Sequence, residues 1–398
     1  MTRRQHLFAL TAGLLGIGGH TGATTLSTPS PSPSPSPART HLRVGPGRPL
    51  RTLTEAARQA RPGSLVEVDA GDYRGDTAVW LHDNLVVRAV GGRVRLLAEG
   101  NVAEGKAIWV IRAHGMVVEG FDFEGAAASG RNGAGIRFER GSLRVQDCRF
   151  IGNEMGLLTS NDENSMLEVL NCEFAHNRRP DGHNHQLYVG SIRSLRVVGS
   201  YFHHAYIGHL LKSRAATSRI LYNRLTDESG GEGSYEMDFS NGGIVHAIGN
   251  LVEQGPATQN QHMIAFGMEG YRWPRNALCL AHNTLVDRLP ANGKFLRVQP
   301  GADHVLVVNN LLVAGGPLEP VAASDYRNNL RASLADFAQT DPYDFRLRSG
   351  SRLVGRADDP GEAEGMSLRP GYAYVHPRRT ETLDAPAHNP GAMQRPAP

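Results

Sequence analysis

"LRVQDCRF" (143–150), "LEVLNCEF" (167–174) and "LRVVGSYF" (195–202) are one phrase written three times. In each, Leu and Val alternate with polar residues, a small residue follows a turn, and Phe closes the unit. Alternation with a period of two is the signature of a strand that buries one side. The phrase extends outward as "MVVEGFDF" (116–123), "RILYNRL" (219–225), "VHAIGNLV" (245–252), "LCLAHNTLV" (278–286) and "VLVVNNLLV" (305–313). Most starts lie 24 to 28 residues apart, with one longer interval before 278. Hairpin dipeptides are missing from the junctions and the period is too long for a meander, which counts against a β-sandwich. The reading is an all-β solenoid, a parallel β-helix of roughly ten coils stacked about 4.8 Å apart. Asn171, Asn223, Asn250, Asn283 and Asn310 are expected to stack at one corner and bond along the coil axis. Cys148 and Cys172 fall at equivalent places in neighbouring coils, where a pair of small apolar side chains is expected and a disulfide is geometrically allowed.

Ahead of the repeat, "LRTLTEAARQARPGSLVEVDAGDY" (50–73) places a short helix over 54–60, with Thr52 or Thr54 as N-cap and Pro62-Gly63 as its stop. Such a helix suits a cap on the open end of the solenoid. After residue 315 the repeat fades, and "DPYDFRLRSGSRLVG" and "HNPGAMQ" read as a closing segment over the C-terminal end. Arg3-Arg4 followed by a short apolar stretch and a small-residue exit predicts a twin-arginine signal peptide over 1–23. An extended Ser/Pro tether covers 24–40, the β-helix domain 41–357 and the closing segment 358–398. The expected location is periplasmic or secreted, as a monomer.

The formal charge of +3 carries no basic arm or nucleic-acid motif, and no stretch has the roughly 20 apolar residues of a membrane span. Neither nucleic acid nor membrane is an expected partner. Of 42 Lys and Arg, three are Lys: Lys106, Lys212 and Lys294. Lys can lose its proton and act as a base, whereas Arg effectively cannot.

Each phrase is preceded by another short strand. Three of these are chemically rich: "HQLYVG" (185–190), "HLLKSR" (209–214) and "YEMDFS" (235–240). In the predicted register Leu187, Leu211, Met237 and Ile264 point inside, while Tyr188, Lys212 and Asp238 form an outward row flanked by Leu158 and Ala265. Two residues away stand Gln186, Leu210 and Glu236 on one side and Arg214 and Ser240 on the other. A solvated charge ladder is the bland reading. Against it stand the scarcity of Lys and the crowding of His183, His185, His203, His204 and His209. His183, His185 and His209 offer a zinc-like set, although stacked neutral imidazoles fit equally well. Asp162, Glu163, Asn164, Glu236 and Asp238 offer oxygens for calcium.

The cap stretch, the coil phrases and "DFRLRSGSRLVG…NPGAMQ" together resemble the pectin-lyase-like superfamily of right-handed parallel β-helix proteins, over residues 41 to 398. The resemblance implies an exported enzyme on a polysaccharide. It leaves open lyases, hydrolases, C5-epimerases and noncatalytic adhesins. The "KSR" strand is similar to the Lys-plus-Arg arrangement of alginate and chondroitin lyases, which implies β-elimination on an acidic, uronate-containing polysaccharide. In that reading Lys212 is the base with a lowered pKa, and Arg214, Tyr188, His185 and His209 complete the catalytic group. Gln186, His183, Glu236 and Tyr235 bind substrate, and Glu236 with Asp238 holds calcium. A hydrolase would instead use a carboxyl pair such as Glu236 and Asp238. An epimerase would share the lyase residues. A noncatalytic binder would rely on Tyr188, Tyr206, Tyr235 and Trp273 as platforms and would not need Lys212.

Overall fold

A strand of five residues with one buried side cannot stand alone, and here each finds its partners one coil before and one coil after. The structure is a computed structural model that describes residues 39–179, 181–290, 293–339 and 344–397. The expected leader with Arg3-Arg4, and nearly all of the Ser/Pro tether, lie outside the described residues. Twenty-eight strands join in one parallel network, wound into a right-handed β-helix of three faces. The first face carries Met155–Thr159, His185–Val189, His209–Ser213, Met237–Phe239 and His262–Phe266. The second carries Ile192–Val198, Thr217–Leu221 and Ile244–Ile248, and the third Glu173–Ala175, Tyr201–His203 and Arg224–Thr226. Among the described residues no helix is long and apolar enough to cross a membrane.

The closing Phe of the repeated phrase builds the core. Phe123, Phe150, Phe174 and Phe202 stack along the axis with ring centroids 5.0, 4.7 and 4.7 Å apart and planes within 8°. Identical residues at identical places in each coil leave no other arrangement without voids. Cys148 and Cys172 are buried free thiols in the same layer. The helix Leu53–Gln59 starts at Thr52, whose hydroxyl accepts from Glu55 N while Glu55 bonds back, and it buries Leu53, Ala56 and Ala57.

The corner between second and third faces carries the amide ladder. Asn223, Asn250, Asn283 and Asn310 are fully buried, and the side-chain oxygens of Asn250, Asn283 and Asn310 each accept from both the backbone N–H and the side-chain NH2 of the Asn one coil before. Asn329 continues it. Asn171 is not a member. It sits one residue earlier, in the left-handed conformation at φ 53°, and Cys172 and then Ser200 hold the ladder position. Asn tolerates that conformation better than most residues, so the same residue type served a different purpose.

The closing segment does more than cover an end. Phe337, Phe345, Leu347 and Leu353 pack against Leu251, Val286 and Leu311. The chain then runs back along the ladder corner. Ala363 O meets His246 Nε2 at 3.0 Å, Gly371 N donates to Tyr222 Oη at 3.0 Å, and Arg378 reaches Asp147 at 2.6 Å. It finally returns so that Gly391 N donates to Asn309 O at 2.8 Å.

Candidate active site on the first face

Parallel pairing puts Leu157, Leu187, Leu211, Met237 and Ile264 in one inward register and Leu158, Tyr188, Lys212, Asp238 and Ala265 in the next. The middle of this second row is polar and its flanks are apolar. Lys212 is nevertheless 7% exposed and Asp238 3%. They sit beneath a covering loop, not on an open sheet.

Lys212 Nζ lies 3.0 Å from Asp238 Oδ2 and donates to Glu269 Oε1 at 2.7 Å. Arg214 grips the other oxygen of Glu269 through Nη2 at 2.5 Å and Nε at 3.2 Å. One carboxylate is thus clamped between two cations. The guanidinium lies 5.0 Å above the Tyr188 ring. Ser240 Oγ donates to Asp238 Oδ2 at 2.6 Å, while the buried Asp238 Oδ1 has no hydrogen-bond partner among the described residues. Glu269 arrives on the loop after His262–Phe266, held by Asn241 Nδ2 to Gly270 O at 3.0 Å and by Trp273 Nε1 to Arg214 O at 3.1 Å. Sequence reading missed Glu269. Its signal was the longer interval before 278, which marks an inserted loop at the polar coils.

His185, His209 and Tyr235 form the neighbouring row. His185 stacks on His209 at 4.7 Å and on Tyr188 at 5.3 Å, and His209 packs on Tyr235 at 5.1 Å. The backbone N–H of His209 donates to His185 Nδ1, and that of Tyr235 to His209 Nδ1. Each Nδ1 must therefore be bare, so each neutral ring carries its proton on Nε2. For His209 that nitrogen faces Asp238 Oδ2 at 3.5 Å. Burial, then the charge of its neighbour, pushes His185 well down, and burial brings His209 down to about 4.

Four expectations are corrected. Lys212 does not have a lowered pKa. Burial acts in that direction, but Asp238 and Glu269 outweigh it and raise the ammonium above its ordinary value. Gln186 is buried, with its amide on the carbonyls of His203 and His204 and its oxygen accepting from Asn177. Glu236, 1% exposed, is buried just before Met237, with both carboxylate oxygens lacking hydrogen-bond partners among the described residues. Burial, then nearby Asp227, drives its pKa well up. His183 sits at φ 59° with Nδ1 beside Asp181 O and does not join His185 and His209 in a metal-like set. Period-two counting failed for Gln186 and Glu236, which share the parity of the outward row and are nevertheless buried.

Calcium is a poor match to these residues. It takes six to eight oxygens, but Glu236 faces away and Asp238 already pairs with an ammonium. Asp162 and Glu163 are engaged by Ser165 and Arg272. No step below runs through that ion.

The fold and this row define the class, a parallel β-helix with a charged, partly covered face. Among solved structures the chain is similar to pectate lyase Pel9A, with TM-score 0.60 and 15% identity over 90% of this chain and 98% of that one. It is also similar to ORF18 of Geobacillus virus E2 (TM-score 0.46, 12% identity, 68% and 53% covered) and to the PL6 family alginate lyase AlyGC (0.36, 12%, 85% and 60%). At these identities the first likeness establishes the fold alone, and the other two add nothing to it. No known family profile matches the chain, and no curated protein sequence does.

Proposed function

We propose that this chain degrades an acidic, uronate-containing polysaccharide by β-elimination, with Lys212 as base and Arg214 as the carboxylate partner. The observation that carries the reading is the clamp: Lys212 and Arg214 together hold one carboxylate, that of Glu269. A uronate carboxylate offers the same two oxygens and can take that place. Charge builds on this carboxylate as the neighbouring C–H proton leaves, and the Arg214 guanidinium is fixed over Tyr188 to meet it. Lys212 must then be the free amine. With Glu269 displaced, one of the two carboxylates that hold its proton is gone, and burial favours the neutral form. The Tyr188 hydroxyl, on the same row one coil before Lys212, serves as the acid for the leaving oxygen. His209 and Ser240 orient Asp238 behind Lys212. The Arg3-Arg4 leader would export the chain to the periplasm or beyond.

A hydrolase is the second reading, favoured by one observation. Asp238 and Glu269 each lie within 3.0 Å of the Lys212 nitrogen, close enough for the roughly 5.5 Å carboxyl pair of a retaining enzyme. Such a pair needs one protonated acid. Glu269 is a poor one, because its pKa is lowered by Lys212 and Arg214 against the effect of burial. Purified protein incubated with uronate polysaccharides decides between them. Unsaturated product with new ultraviolet absorbance supports elimination, and reducing ends without absorbance support hydrolysis. Inertness on every uronate polymer would overturn both.

A further inference from the structure

On the third face, away from Lys212, the strands Glu173–Ala175 and Tyr201–His203 pair with Ala175 opposite His203. The residues that follow, His176 and His204, therefore stack one coil apart. Both adopt the left-handed conformation, at φ 56° and 48°, and His176 N donates to His204 O at 3.2 Å. Their rings lie 4.5 Å apart, and that of His203 is 4.9 Å from His204 and 5.9 Å from His176. One ring nitrogen from each of the three lies within 4.8 Å of the others, and the Nδ1 atoms of His203 and His204 are 2.6 Å apart.

His203 is held for this purpose on both sides. It is 8% exposed and stacks on Tyr201 at 4.1 Å. Its Nε2 is buried without a hydrogen bond among the described residues and faces Glu173 Oε1 at 3.5 Å. Glu173 is in turn approached by Arg378 at 3.4 Å. A carboxylate behind one ring nitrogen is the arrangement that orients a metal-binding His, because it draws the proton to that side and bares the other nitrogen. Two bare Nδ1 atoms at 2.6 Å repel unless a proton or a cation lies between them. Ligands of a tetrahedral ion with bonds of about 2.0–2.1 Å stand about 3.3 Å apart, so small ring rotations suffice.

We propose that His176, His203 and His204 bind a divalent transition-metal ion of the zinc type, with Glu173 as a positioning residue and water completing the shell. Imidazole donors select such ions over calcium or magnesium. The ion would tie two adjacent coils beneath the active-site strand, since Gln186 on that strand bonds the carbonyls of His203 and His204.

The test is titration of the full chain, free of any histidine tag, with Zn2+ by calorimetry and with Co2+ by absorption. One ion per chain and the intense visible bands of four-coordinate cobalt are expected. His176→Ala and His204→Ala should each weaken binding by roughly 100-fold or more, and Glu173→Gln by roughly 10- to 100-fold with stoichiometry and bands retained. His183→Ala should change nothing. Circular dichroism confirms folding, and because His176 is exposed its variant keeps the test valid if His203→Ala does not fold. Absence of one-to-one binding, unchanged affinity in His176→Ala and His204→Ala, or loss of binding in His183→Ala would each overturn the assignment.

Discussion

Replacing Glu269 by Gln separates the resting clamp from the catalytic one. The change keeps the shape and removes the charge that competes with a substrate carboxylate. Glu269 makes charged contacts to both Lys212 and Arg214, yet its side chain is 42% exposed. Solvent screening therefore holds each contact to about 0.2–1 kcal/mol. Their sum is about 1.2 kcal/mol at mid-range, and its removal should lower KM for an acidic polymer by about 8-fold. The pH profile carries the second signal. Glu269 raises the Lys212 pKa in the resting enzyme, and the base is the unprotonated amine, so activity rises with pH through that pKa. Without the Glu269 charge the pKa falls, and the rising limb of kcat/KM must move to lower pH. Initial rates of unsaturated-product formation across pH measure both effects. An unchanged KM with an unmoved limb would refute the displacement mechanism. Loss of activity comparable to a Lys212 variant would make Glu269 itself a catalytic group.

Lys212→Ala and Lys212→Arg should both abolish elimination. The Ala variant should also lose about 3–5 kcal/mol in urea unfolding, because Asp238 is left buried and unpaired; an undiminished midpoint would show that the pair is solvated. Asn250→Ala removes four hydrogen bonds at a fully buried corner and should cost about 3–5 kcal/mol by the same assay, with a loss below about 1 kcal/mol contradicting the ladder's role. His209, at about 4 when folded against 6.5 in a free chain, binds its proton only when unfolded between those values. Stability should therefore be intact above about pH 6.5 and fall by about 3 kcal/mol toward pH 4, and His209→Gln should flatten that slope in melts across pH. Calcium chelation should leave activity unchanged, and restoration of a chelated enzyme by calcium would show that a site exists which the Asp238 row does not supply.

The recurrence of Leu, Val and Phe at fixed places in "LRVQDCRF" and its copies determined the coil, the inward register and the neighbours Tyr188, Lys212 and Asp238, because parallel stacking converts equal positions in sequence into adjacency in space. The same logic did not settle every side chain. Gln186 and Glu236 count as outward residues, and only the tertiary structure shows them buried, Gln186 with its amide on the carbonyls of His203 and His204. Asn171 is a ladder residue by type, and its register, one position before Cys172, removes it. Glu269 and the clamp on Lys212 come from a loop that obeys no repeat, so nothing in the period could place them. The protonation of Lys212 was decided there too. Burial and two carboxylates act on it in opposite directions, and their distances exist only once the loop has folded over the row. Likewise His176 counts as an ordinary turn residue until the coil above sets His203 and His204 against it.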